Sequence, residues 1–103
     1  LKISNLIILM LFITKSSSQS NPVVVADSLY AVGNYMRAIN EYSKEGSYNA
    51  QLQIARAYSA IGNYDKALVQ YENIVQKNNS HILAKYELGR LYLKLKKYDA
   101  TRF

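Results

Sequence analysis

His81 is the only histidine in the chain, and none of the 103 residues is cysteine. Acid–base or nucleophilic catalysis would have to be assembled around that one imidazole, with a hydroxyl or carboxylate brought to it by another element. Nothing stands at zinc-ligand spacing, and there is no thiol for an iron–sulfur cluster or a disulfide. The sequence also lacks a Gly-rich phosphate loop and a paired-carboxylate motif. The expectation is a non-enzymatic protein with no catalytic residue, no metal and no cofactor. His81 itself reads as part of a solvent-facing connection.

Two other groupings carry charge or modification chemistry. Lys94, Lys96 and Lys97, flanked by Tyr92 and Tyr98, form a basic and aromatic cluster in a chain of formal charge +6. Lysines near a helix C-terminus favour the dipole and sit in water, so a nucleic-acid partner is not expected. Asn78-Asn79-Ser80 matches the glycosylation triplet, which is used only in a suitable secretory host.

The elements that must position these residues fall into two parts. Lys2 precedes an unbroken apolar run from Leu6 to Ile13, followed by Thr14-Lys15-Ser16-Ser17-Ser18-Gln19-Ser20. A basic start, a short apolar stretch and a small-residue exit describe a signal peptide, assigned to residues 1–18, with Ser20 as the alternative cleavage point. The run falls well short of the roughly 20 residues of a membrane span. The expected product is exported to a periplasm, cell envelope or medium. It would be membrane-associated only if the segment were kept.

The remainder repeats. Shifted by 34 positions, Ala50, Arg56, Tyr58, Tyr64 and Asp65 fall on Ala84, Arg90, Tyr92, Tyr98 and Asp99. Shifted by 29, Ala31, Gly33, Asn34, Tyr35, Ala38 and Tyr42 fall on Ala60, Gly62, Asn63, Tyr64, Ala67 and Tyr71. The units are 19–47, which is shortened by Gly46, then 48–81, and a partial unit over 82–103. Each reads as two helices joined by a tight turn. Ile54, Ala55, Tyr58 and Ile61 recur at helical spacing, and Gly62-Asn63 breaks the pattern. Ala67, Leu68, Tyr71, Ile74 and Val75 then form the stripe of a second helix. Gly62 supplies a left-handed residue and Asn63 a cap, while Asn21 with Pro22 starts the earliest helix. Ser80 is the expected cap of the helix that follows. With no alternating run long enough for a strand, the fold class is all-α.

The period and the residue pattern resemble the tetratricopeptide repeat family. Its bulky, small and aromatic positions are occupied by Ile54, Ala55, Tyr58, Gly62, Tyr64, Ala67 and Tyr71 in the middle unit. Unit 1 offers Val25, Ala26, Leu29, Gly33, Tyr35, Ala38 and Tyr42, and unit 3 offers Leu88, Gly89, Tyr92 and Tyr98. The resemblance implies a short α-solenoid in which small residues let helices approach and tyrosines fill the wedges between units. Lys96-Lys97 occupies the third turn, where Gly-Asn stood before. Phe103 would then lie within an unfinished second helix, the front of a longer protein.

The resemblance also implies a concave groove, lined by the first helices, that docks a segment of a protein or peptide partner. By position the groove would be lined by Leu52, Arg56, Ser59 and Ala60, then Tyr86, Arg90, Leu93 and Lys94, with Arg56 and Arg90 gripping a carboxylate or backbone carbonyls. The cationic clamp by which one sub-family holds chaperone tails is replaced here by Val23, Asp27, Gln53, Leu83 and Glu87, so that ligand is not expected. The implied function is a protein–protein interaction scaffold. The alternative is the sensor or adaptor portion of a longer signalling or hydrolytic enzyme whose catalytic domain lies beyond residue 103.

Overall fold

The computed structural model describes residues 21–101, with side chains described as far as Lys97. The signal-peptide segment, the side chain of Tyr98 and Phe103 lie outside this range. Five helices cover the described residues: α1 Pro22–Ala31, α2 Tyr35–Tyr42, α3 Tyr48–Ala60, α4 Tyr64–Lys77 and α5 Ile82–Thr101. Each packs chiefly on its neighbours in sequence, α1 on α2 through to α4 on α5. Contacts are therefore local, as in a repeat array.

The turns show why the chain repeats. After α1, Gly33 takes φ +81°, and after α3, Gly62 takes the same value. In both turns the glycine N–H and the following Asn N–H return to carbonyls of the last helical turn. Gly62 donates to Ser59 at 3.0 Å and Asn63 to Tyr58 at 2.9 Å. Gly33 donates to Tyr30 at 3.0 Å and Asn34 to Leu29 at 2.8 Å. This double return requires a left-handed residue, which only glycine supplies without strain. Asn63 then caps α4 by accepting from the Lys66 N–H, and Asn21 caps α1 by accepting from the Val23 N–H. Beyond α2, the chain turns through Gly46, and Ser47 caps α3 through the Ala50 N–H at 3.1 Å.

Two apolar clusters meet at α3. Its Ala50, Ile54 and Ala57 pack with Ala26, Ala38, Ile39 and Tyr42. Its Leu52 and Ala55 pack with Ala67, Tyr71, Ile74, Ala84 and Leu91. Ala26, Ala38, Ala55, Ala57, Ala67 and Ala84 are fully buried, the side-chain size that lets helix axes come close. Tyr58 lies partly buried against both clusters, so it fills the wedge expected of it.

Two expectations are corrected. The turn placed at Lys96-Lys97 does not form, and α5 runs on to Thr101. Without glycine there is no residue to take the positive φ that closes the two earlier turns, and Lys and Leu are good helix formers. The consequence is exposure. Gly89 and Tyr92 stand in the open, whereas their counterparts Ala55 and Tyr58 are covered by α4 and its turn. The cap of α5 is likewise His81 rather than Ser80. The His81 Nδ1 accepts from the Ala84 N–H at 3.2 Å, and the Ser80 hydroxyl donates instead to Asn78 Oδ1 at 2.7 Å. His81 also meets Tyr48 edge-on, so the lone imidazole has a structural use.

Candidate functional site

The first helices of the three units, α1, α3 and α5, share one face. Gln53 and Arg56, one helical turn apart on α3, stand at its centre. Arg56 donates from Nε to Glu87 Oε1 of α5 at 2.7 Å and from Nη2 to Glu87 Oε2. Its Nη1 donates to Gln53 Oε1 at 2.8 Å. Tyr71 of α4 donates to the same Glu87 Oε1 at 3.0 Å. On the other side the Gln53 amide donates to the Tyr42 hydroxyl at 3.4 Å, and that hydroxyl donates to Asp27 of α1. One hydrogen-bonded row thus runs Asp27, Tyr42, Gln53, Arg56, Glu87, Tyr71 and touches every helix from α1 to α5.

The row ties the units together by directional bonds that the apolar clusters do not supply. Its bidentate Arg56–Glu87 pair is two-thirds shielded at the arginine and more so at the carboxylate, at 33 % and 16 % side-chain exposure. That partial desolvation strengthens the pair beyond an ordinary surface contact. The bond to Glu87 raises the Arg56 pKa further above its usual value, against an opposing effect of burial.

Both phenols are held in their neutral, donating form. Burial, followed by the bond to Asp27, pushes Tyr42 up to about 12, with the Gln53 amide opposing. Burial, followed by the charge and bond of Glu87, drives Tyr71 further the same way, with Arg56 opposing. The folded state therefore binds these protons more tightly than the unfolded chain does. The contribution of Tyr42 is complete below pH 10.0 and is lost as pH rises through its folded value of about 12, and that of Tyr71 is lost at higher pH still. Thermal melting should accordingly fall across this alkaline window, and Tyr42→Phe should flatten the fall. Melting scans on both proteins would check it.

The expected lining residues divide between two grooves. One, of ≈ 310 Å³, lies over the row and includes Leu52 and Arg56 with Val23, Asp27, Gln53 and Leu83. Leu52 forms its floor at 4 % exposure, and Arg56 is already engaged by Glu87. Arg56 and Arg90 therefore line different grooves. The other groove, of ≈ 580 Å³, is bordered by Ser59 and Tyr64 on one side and by Arg90, Leu93, Lys94 and Lys97 of α5 on the other. Arg90 lies over the Tyr86 ring at 5.8 Å and Lys94 over the Tyr64 ring at 5.0 Å. Tyr86, at 60 % exposure, and Ala60 line neither groove. Sequence reading treated Tyr42 and Tyr71 as wedge fillers and missed their hydroxyls. The available signal was tyrosine at two buried aromatic positions, since a buried phenol needs a partner.

These elements define an all-α helical-repeat protein with one shared face along its first helices. A tetratricopeptide repeat family model matches residues 49–91, a span covering most of α3, the Gly62 turn, α4 and the first half of α5. The chain is thus tetratricopeptide-repeat-like, a class that is generally non-catalytic and generally mediates protein–protein contact. No curated protein and no solved structure matches it. Among the described residues no helix is long and apolar enough to cross a membrane.

Proposed function

We propose that the protein is a non-enzymatic scaffold that docks a segment of another protein on the face shared by α1, α3 and α5. The observation that carries this reading is the contrast between α3 and α5. On α3 the equivalent side chains are spent internally, with Leu52 buried and Arg56 held by Glu87. On α5 Tyr86 and Leu93 are 60 % and 64 % exposed, with Arg90 set between them. A tyrosine and an arginine presented together on a rigid helix are residue types that concentrate binding energy, and the exposed Leu93 adds apolar area on the same helix.

The test begins with a partner captured from source cells by the full chain and then titrated against variants. Tyr86→Ala and Arg90→Ala should each weaken binding by about 1 kcal/mol or more, roughly fivefold in Kd. Lys96→Ala, which removes an exposed charge away from both grooves, should change little except at low salt. Loss of binding in the Lys96 variant with retention in the other two would mean that contact is electrostatic and away from Tyr86 and Arg90, and the docking mechanism would fall.

A further inference from the structure

The outer side of α5 carries an apolar stripe. Ile82, Tyr86, Gly89 and Leu93, spaced by four, three and four residues, share that side over a rise of about 16 Å. Ile82 is 79 % exposed, Tyr86 and Leu93 are exposed as well, and open space surrounds Gly89 between them. Cations border the stripe on both sides, Lys85 and Lys96 along one edge and Arg90 and Lys97 along the other. All four are exposed, and no ion pair among the described residues joins any of them to a carboxylate. The helix dipole does not account for them, because α5 runs on to Thr101 and no basic residue falls in its last turn. Glu87 accepts from Arg56 and Tyr71 on the inner side, and Glu72 of α4 accepts from Tyr92. The pattern is particular to this helix. One unit earlier the bordering positions are Gln51, Arg56, Gly62 and Asn63, whose one cation is held by Glu87.

We propose that the outer side of α5 attaches the protein to an anionic phospholipid bilayer. The helix lies in the plane of the surface, with Ile82, Tyr86 and Leu93 at the boundary between headgroups and acyl chains. The cations on either edge extend their chains outward to lipid phosphates at headgroup level. Tyr86, with the Arg90 guanidinium over its ring, suits that boundary because one end of a phenol is apolar and the other is wet. Shape and charge favour a lipid surface over a protein segment. Ile82, Tyr86 and Lys96 border neither groove, so the stripe lacks the walls of a cleft. Cations along both edges of one open helix face match a continuous plane of negative charge. The opposite side of α5 stays in the fold, where Ala84 and Leu91 are buried, so attachment requires no unfolding. The attachment does not rest on the docking function. Tyr86, Arg90 and Leu93 serve both, so a docked partner and a bilayer exclude one another.

The experiment sediments the full chain with vesicles of phosphatidylcholine, either alone or mixed with phosphatidylglycerol. The protein should partition onto the anionic vesicles, stay in solution with the neutral ones and be released by high salt. Lys85→Ala and Lys96→Ala should each weaken partitioning by about fivefold. Arg37→Ala removes an exposed cation from α2 and should change it by less than about twofold. The emission of Ile82→Trp should shift to the blue on anionic vesicles, and that of Val69→Trp on α4 should not. All of these positions are exposed, so circular dichroism should show the helices unchanged. Equal partitioning onto the two kinds of vesicle, equal losses in the Arg37 and Lys96 variants, or an unshifted Ile82→Trp emission would each overturn the attachment. A protein that captures a partner yet stays in solution with both vesicles would assign this side of α5 to protein contact alone. The docking function is judged separately on the captured partner, whose binding Lys96→Ala should leave nearly unchanged.

Discussion

Replacing Ala67 by glutamate should unfold the middle unit. Ala67 is fully buried on the first turn of α4 and packs in one cluster with Ala55 of α3, which is also fully buried. Small side chains buried on both helices allow α3 and α4 to cross closely there. A glutamate there adds volume that the crossing cannot absorb and places a carboxylate in an apolar cluster. The combined loss is on the order of 3–5 kcal/mol, a large part of the roughly 5–15 kcal/mol that stabilises a domain. Val69→Glu, two residues on, gives the control. Val69 is 55 % exposed on the same helix, and its substitution should stay within about 0.5 kcal/mol of the parent. Thermal melting of the three proteins decides the matter. Equal melting temperatures for the Ala67 variant and the parent would place Ala67 on a solvated face and refute the helix register.

That register was legible because the residues that set it have few substitutes. A turn with φ near +80° demands glycine, so Gly33 and Gly62 announce the turns. A close crossing demands a small side chain, so Ala38 and Ala67 announce the second helices. The period of 34 between unit 2 and unit 3 carried this reading forward, and there it also misled. Tyr98 and Asp99 repeat Tyr64 and Asp65, yet the pair before them is Lys96-Lys97 in place of Gly-Asn. The local requirement prevailed over the periodic analogy, and the helix continued. His81 was hidden for a different reason. Ser80 is the commoner capping type, and an imidazole acting as the acceptor becomes visible only once the backbone places its Nδ1 at the Ala84 N–H.

The polar row was the least legible part. Arg56 and Glu87 are 31 positions apart, and nothing in their local sequence says that they meet. Resemblance placed Arg56 in a groove and left Glu87 only as a residue that is not a clamp. Charge pairing across two units depends on how far α5 is rotated against α3, which is set by Ala55, Ala84 and Leu91 in the cluster beneath. Packing had to be known before the electrostatics could be read. For the same reason, the predicted set of groove arginines separated into one residue that holds the fold and one that faces solvent.

Removing Glu87 tests whether the row does couple the units. Glu87→Ala strands the Arg56 guanidinium and leaves the Tyr71 hydroxyl without its acceptor. A fully buried pair broken in this way costs about 3–5 kcal/mol. With a third of the Arg56 side chain exposed, water compensates part of that, and the expected loss is about 2 kcal/mol. Glu87→Gln keeps an acceptor for Tyr71 and should lose about 1 kcal/mol. The more telling quantity is the coupling. Arg56→Met combined with Glu87→Ala should cost less than the two single losses added, by at least about 1 kcal/mol in urea unfolding. Additive losses would reduce the pair to an ordinary surface contact. The form of the unfolding curve carries the rest of the argument. In a repeat array, stability is the sum of unit terms and interface terms, so weakening the α3–α5 contact should let α5 unfold ahead of the helices before it. Glu87→Ala should therefore broaden the urea transition or split it in two, whereas Ala67→Glu, acting inside the middle unit, should lower the whole of it.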